Sequence, residues 1–119
     1  MTDPATTVQD DPHPEPIGRP VLPDVLHLLG DYPNIQRDYR ARIELGAELY
    51  GQELTTYNGR CFLTDAYQEA LDLLGYLVGM SMERPDVRGV ELHAIAMSTA
   101  HTLAAVTALR TLLDLEGLR

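Results

Sequence analysis

Asp65, Glu69 and Asp72 stand at spacings i, i+4 and i+7. If this stretch is helical, about 100° per residue sends all three carboxylates out along one narrow stripe. The residues around them, Ala66–Met80, are almost wholly apolar, and no basic residue lies between Asp65 and Met82. Carboxylates ~4 Å apart repel by roughly 1 kcal/mol per pair in water, and by more when desolvated. A cation from outside the helix would offset that repulsion. Mg²⁺ is the sharpest candidate, because it takes one or two carboxylates together with substrate phosphates. The plainer alternative is a solvated acidic face favoured by the helix dipole. It accounts for Asp65, partly for Glu69, and poorly for Asp72, which sits two turns in and is a weak helix former.

A second acidic pair, Glu44 and Glu48, is spaced i, i+4 beside an apolar stripe, at what would be the edge of a helix interface. There the two carboxylates could face the first set, or Arg40 and Glu44 could form an ordinary surface pair worth ~0.3–0.5 kcal/mol. Between the two acidic segments runs Thr55-Thr56-Tyr57-Asn58-Gly59-Arg60. Arg60 could grip phosphate bidentately, with Tyr57 or Asn58 meeting a base, or the segment could be a polar connector. His93 and His101 are eight residues apart, about 80° apart in helical projection. They make no zinc pair and read as interface or core histidines. Cys61 has no histidine within a recognisable motif and does not read as a nucleophile.

The elements that would hold these residues are helices. Residues 1–23 carry six of the eight prolines among Asp, Glu, Thr and Gly. Such a tail buries too little apolar surface to order itself, and is expected to be extended, crossing the body near Ile17–Leu22. Residues 24–119 read as a single helical domain. A short helix spans Asp24–Leu29, with Asp24 as cap and Gly30 as stop, and Pro33 breaks the chain after it. A second helix spans Asn34–Tyr50, with Ile35, Tyr39, Ile43, Gly46 and Tyr50 inward and Gly51 as its stop. Gln52–Leu63 is a loop with an Asn58-Gly59 turn. A third helix spans Asp65–Met82, capped by Thr64 or Asp65, with Gln68 completing a capping box. Pro85 interrupts the chain. The longest helix then runs from Gly89 or Val90 to about Leu115, with Leu92, Ile95, Ala96, Thr99, Leu103, Val106, Leu109, Leu112 and Leu113 as its apolar stripe. No strand pattern is present, so the fold class is all-α. The last two helices carry more apolar surface than one small bundle covers, which predicts completion of the bundle by oligomerisation, as a homodimer or homotetramer.

Composition narrows the partners. The 119 residues carry a net charge of −9, which argues against a surface tracking nucleic-acid polymer or anionic lipid. All nine basic residues are Arg and none is Lys. Schiff-base chemistry and a P-loop lysine are thereby excluded, and any direct cationic grip on phosphate falls to Arg. The single cysteine suits a reducing compartment, no signal peptide is visible, and no run approaches the ~18 apolar residues that span a membrane. A cytoplasmic location is expected.

The run Gly46-x-x-x-Tyr50-Gly51, Leu54, Asn58-Gly59-Arg60, Asp65 to Asp72 and Tyr76-Leu77 resembles MazG-like proteins of phage and actinobacterial type, which are all-α nucleoside triphosphate pyrophosphohydrolases. The resemblance covers roughly residues 37–82. The family carries a Glu-Glu-x-x-Glu motif on one helix and Glu-x-x-Asp on the next. Glu69-Ala70-Leu71-Asp72 fits the second. Glu44 and Glu48 fit the outer positions of the first, with Leu45 where its second Glu is expected. The resemblance implies metal-dependent hydrolysis of a ribo- or deoxynucleoside triphosphate to the monophosphate and pyrophosphate. Glu44, Glu48, Glu69 and Asp72 would hold Mg²⁺ or Mn²⁺, with one of them free to act as general base. Asp65 would be a further ligand or would orient Arg60. Two alternatives stand beside this: a nucleotide binder that does not cleave, which Leu45 would suit, and a helical module whose acidic face binds an Arg-rich protein partner.

Overall fold

The computed structural model describes residues 3–117. Among them are four helices and no strands: α1 (Leu22–Leu28), α2 (Pro33–Tyr50), α3 (Phe62–Glu83) and α4 (Gly89–Gly117). The protein is all-α. The chain forms two compact units, one of residues 9–60 and one of residues 1–8 with 61–119. The N-terminal segment is therefore shared between them.

In the 9–60 unit, α1 packs on α2. Each helix has a proline in its first turn rather than being broken by one. Pro23 lies in the first turn of α1 and Pro33 opens α2. Proline suits this position because its missing N–H has no helical partner there and its fixed φ is already helical. Asp24, expected as a cap, is instead in the first turn of α1, where its charge favours the dipole. Gly51 closes α2 in the left-handed region, φ 75°, its N–H donating to the Ala47 carbonyl at 2.8 Å. The buried side of α2 is turned from the expected stripe. Tyr39, Ile43 and Gly46 are half-buried, joined by Gln36 and Ala47, whereas Ile35 and Tyr50 are exposed. Gln36 shifts the face by donating its side-chain amide to the Leu26 carbonyl at 3.0 Å.

The second unit is built on the α3–α4 hairpin, joined by residues 84–88. The least exposed positions on α4 are Ile95, Thr99, Thr102, Val106, Leu109 and Leu113. On α3 they include Leu63, Tyr67, Ala70, Leu74 and Leu77. Both sets alternate steps of four and three, the 3.5-residue period of a coiled-coil seam. Leu92, Leu103 and Leu112, expected inward, lie outside this seam and are exposed, while Thr102 is buried in it. His93 and His101 are exposed, which removes the core reading for both. Tyr67 is the one buried hydrophobic residue among those described.

Two further expectations are corrected here. First, α3 starts at Phe62, with Cys61 rather than Thr64 or Asp65 at its N-cap. The capping box does not form, because Gln68 turns instead to the N-terminal segment, donating to the carbonyls of Pro4 at 3.0 Å and Thr7 at 2.7 Å. Second, α4 is long and apolar enough to cross a membrane by length and composition alone. Its Ser, Thr and His residues break an unbroken apolar run, but a spanning helix tolerates them when neighbours satisfy their polar groups.

Candidate functional site

The α3 carboxylates divide by depth. Asp65 is in the first turn and half-buried, whereas Glu69 and Asp72 are exposed. Three residues apart on one helix, the latter two project about 60° from each other. The early start of α3 moves them along it: Glu69 becomes its eighth residue and Asp72 its eleventh. The dipole's benefit to an acid falls off within the first turn, so it explains neither. Nothing within the helix compensates them, since α3 contains no Lys or Arg. Among the described residues, neither carboxylate has an ion pair. Glu44 and Glu48 are likewise exposed, on α2 in the other unit. Glu44 lines a shallow groove of α2 with Gln36, Arg37 and Arg40.

The loop after α2 is more ordered than a polar connector. Asn58 is only 2% exposed, and its side-chain oxygen accepts the Arg60 backbone N–H at 3.0 Å. This Asx turn fixes the Asn-Gly corner. Tyr57 precedes it in the left-handed region, φ 53°, uncommon for a residue with a bulky side chain. That backbone sends the ring outward, 77% exposed. Of the two candidates for a base contact, Tyr57 presents a free face and Asn58 holds the loop together. The Arg60 guanidinium donates to the Asp10 carbonyl at 2.6 Å and to that of Gln9 at 3.4 Å.

No family model, curated protein or solved structure matches this chain. The site is therefore argued from its own groups.

The donors suit a hard divalent cation, since all are carboxylate oxygens. Among the described residues no three Asp, Glu, His or Cys side chains gather as a metal-holding group. The adjacent Glu69–Asp72 pair nevertheless provides the one or two carboxylates that Mg²⁺ takes when phosphates and water complete its shell. Cys61, exposed at the start of α3, has its thiol held below the ordinary range by hydrogen bonds from the Thr64 hydroxyl and backbone, opposed by partial burial and by Asp65. Partial burial pushes the Tyr39 hydroxyl upward.

The crossing expected near Ile17–Leu22 includes Arg19, which engages the loop, but sequence reasoning missed Gln9, Asp10 and His13. Most of these contacts use backbone atoms, which leave no mark on residue type. The available signal was Gly18, a glycine amid prolines where the chain passes close to something.

Proposed function

We propose that the protein is a metal-dependent nucleoside triphosphate pyrophosphohydrolase acting in the cytoplasm. The observation that carries this reading is the uncompensated Glu69–Asp72 pair, exposed beyond the first turn of a helix without a cation. Mg²⁺ or Mn²⁺ would be held by Glu69 and Asp72, with Asp65 as an outer ligand and phosphate and water completing the shell. When bound, the metal neutralises charge developing on phosphate oxygens and makes an attacking water more acidic. The water oxygen bonds to the α-phosphorus as the bond to the bridging oxygen breaks, and pyrophosphate leaves. One of the carboxylates takes the water's proton. Arg60 grips phosphate as the fork-shaped donor of the loop, and the exposed Tyr57 ring stacks on the base.

The decisive measurement is pyrophosphate release from a panel of ribo- and deoxynucleoside triphosphates with Mg²⁺ or Mn²⁺. Turnover to monophosphate and pyrophosphate is expected, with Arg60→Gln raising KM, and lowering kcat as well if the contact tightens in the transition state. Orthophosphate without pyrophosphate would mean a different phosphohydrolase. Metal binding with no turnover of any triphosphate would leave a nucleotide binder.

The same reading includes a homo-oligomer, a homodimer or homotetramer completing the bundle. Tyr76, Met82, Leu103 and Leu112 on the open sides of α3 and α4 are the apolar groups such an interface would cover. Light scattering at micromolar concentration is expected to give at least twice the 13.2 kDa chain mass, and a monomer mass would refute this part. The same exposed faces favour the second reading, a helical interaction module, which would bind its protein partner equally well after metal is chelated.

A further inference from the structure

We propose that residues 9–21 form a strap that competes with ligand for the Tyr57–Arg60 loop, so that the protein carries its own reversible inhibitor. The proposal rests on the reading of Arg60 as the phosphate-gripping residue.

The strap and the loop belong to one compact unit, and their contacts run the length of the segment. Arg60 donates to the carbonyls of Gln9 and Asp10. The His13 N–H donates to the Asn58 carbonyl at 2.7 Å, and the Gln52 side-chain amide donates to the His13 carbonyl. The Arg19 N–H donates to the Thr56 hydroxyl at 3.0 Å, and the Thr56 N–H returns to the Arg19 carbonyl at 2.9 Å. The Val21 N–H reaches the Leu54 carbonyl at 3.1 Å, and Pro20 pairs with Thr55 in an antiparallel bridge. The segment thus runs along the loop as a short second strand would. Thr55 and Asn58 are the buried residues of this unit.

Two features make the strap a competitor rather than a fixed part of the core. It occupies part of the group a phosphate would need, because Nη1 of the Arg60 guanidinium donates to the carbonyls of Gln9 and Asp10. The same segment also carries the acidic residues Asp10, Asp11 and Glu15. Second, it is held mainly by polar contacts, with Pro12, Pro16 and Val21 half-buried beside them. Its larger apolar side chain, Ile17, is 89% exposed, and each hydrogen bond to such a segment contributes only about 1 kcal/mol net. A segment attached this way opens locally far below the cost of global unfolding. An anion able to form a charge-assisted bond with Arg60 gains more per bond than a neutral carbonyl provides. Docking of strap and anion is then mutually exclusive, and each weakens the other by the same factor.

Gly18 provides a handle on the strap that leaves the loop's own residues untouched. A Cβ there would collide with the Thr56 carbonyl and hydroxyl oxygens, so Gly18→Ala should expel the segment. The test uses the full chain, with inorganic tripolyphosphate plus Mg²⁺ as probe. Calorimetry should show Gly18→Ala binding tripolyphosphate about tenfold more tightly than the unmodified chain, the factor imposed by a strap docked about 90% of the time. In the unmodified chain, saturating tripolyphosphate should accelerate hydrogen exchange at the His13, Val21 and Thr56 amides. Equal affinity of the two chains, or slower exchange of those amides on binding, would overturn the strap as competitor. If Arg60→Gln weakened binding in both backgrounds, the phosphate-gripping reading would survive that result. Tripolyphosphate binding that Arg60→Gln leaves unchanged in both backgrounds would overturn the reading itself, and the strap proposal with it.

Discussion

Asp72→Asn is expected to weaken Mn²⁺ binding at least tenfold and to reduce pyrophosphate release by about two orders of magnitude or more. A metal held largely by carboxylates loses a charged ligand, and the several kcal/mol it contributes to stabilising phosphoryl-transfer charge go with it. The substitution is nearly isosteric, and Asn and Asp have similar helix propensities, so α3 should persist. Its thermal stability should stay level or rise slightly. Asp72 lies on the same exposed face as Glu69 with no cation in the helix, and removing one charge relieves their repulsion. A variant that is at least as stable but far less active is the pattern expected when a group is kept for function against the fold's own preference. Equal Mn²⁺ affinity in the Asp72→Asn and unmodified chains, measured by calorimetry, would remove Asp72 from the site.

Tyr67→Ala is the largest stability change expected. Tyr67 is 9% exposed and is the one buried hydrophobic side chain among the described residues. Truncating a buried aromatic costs about 3–5 kcal/mol, a large fraction of the 5–15 kcal/mol that holds a typical domain folded. Urea unfolding should show the loss as a fall in midpoint with little change in slope. A loss below about 1 kcal/mol would mean the core lies elsewhere. Leu103→Ala is the informative companion. Leu103 is exposed on α4, so in a monomer its truncation should be nearly silent. In an oligomer that covers this face it should destabilise in a concentration-dependent way.

The helices were legible because their signals are periodic and local. Apolar spacing located α2, α3 and α4, and Gly51 marked the end of α2. Boundaries failed where side-chain chemistry offered more than one answer. Thr64 and Asp65 look like caps and Gln68 like a capping partner, yet Gln68 finds two carbonyls of the N-terminal segment. The helix then starts a turn earlier at Phe62, behind a cysteine with no capping signal. The α4 stripe was legible only in part, since a helix apolar around much of its circumference does not declare which face is inward. Thr102 lies in the seam while Leu103 does not. The acidic pairs could be read directly as residue types. The ordering of the loop could not, because it comes from backbone pairing with residues some 40 positions upstream.

The two threonines in the α3–α4 seam have a consequence for alignment. A uniformly apolar seam with a seven-residue period can slide by one repeat, about 10 Å along the axis, and bury nearly the same surface. Thr99 and Thr102 interrupt this one at its middle. The Thr99 hydroxyl is satisfied within its own helix by the Ile95 carbonyl at 2.8 Å. Sliding α4 would carry both hydroxyls to a different layer of α3 and leave Val106 and Leu109, or Leu92 and Ile95, to fill the layer they vacate. Polar residues at such positions are known to specify register at some cost in stability. The hairpin thus gives up apolar contact at its centre in exchange for a single way of lining up.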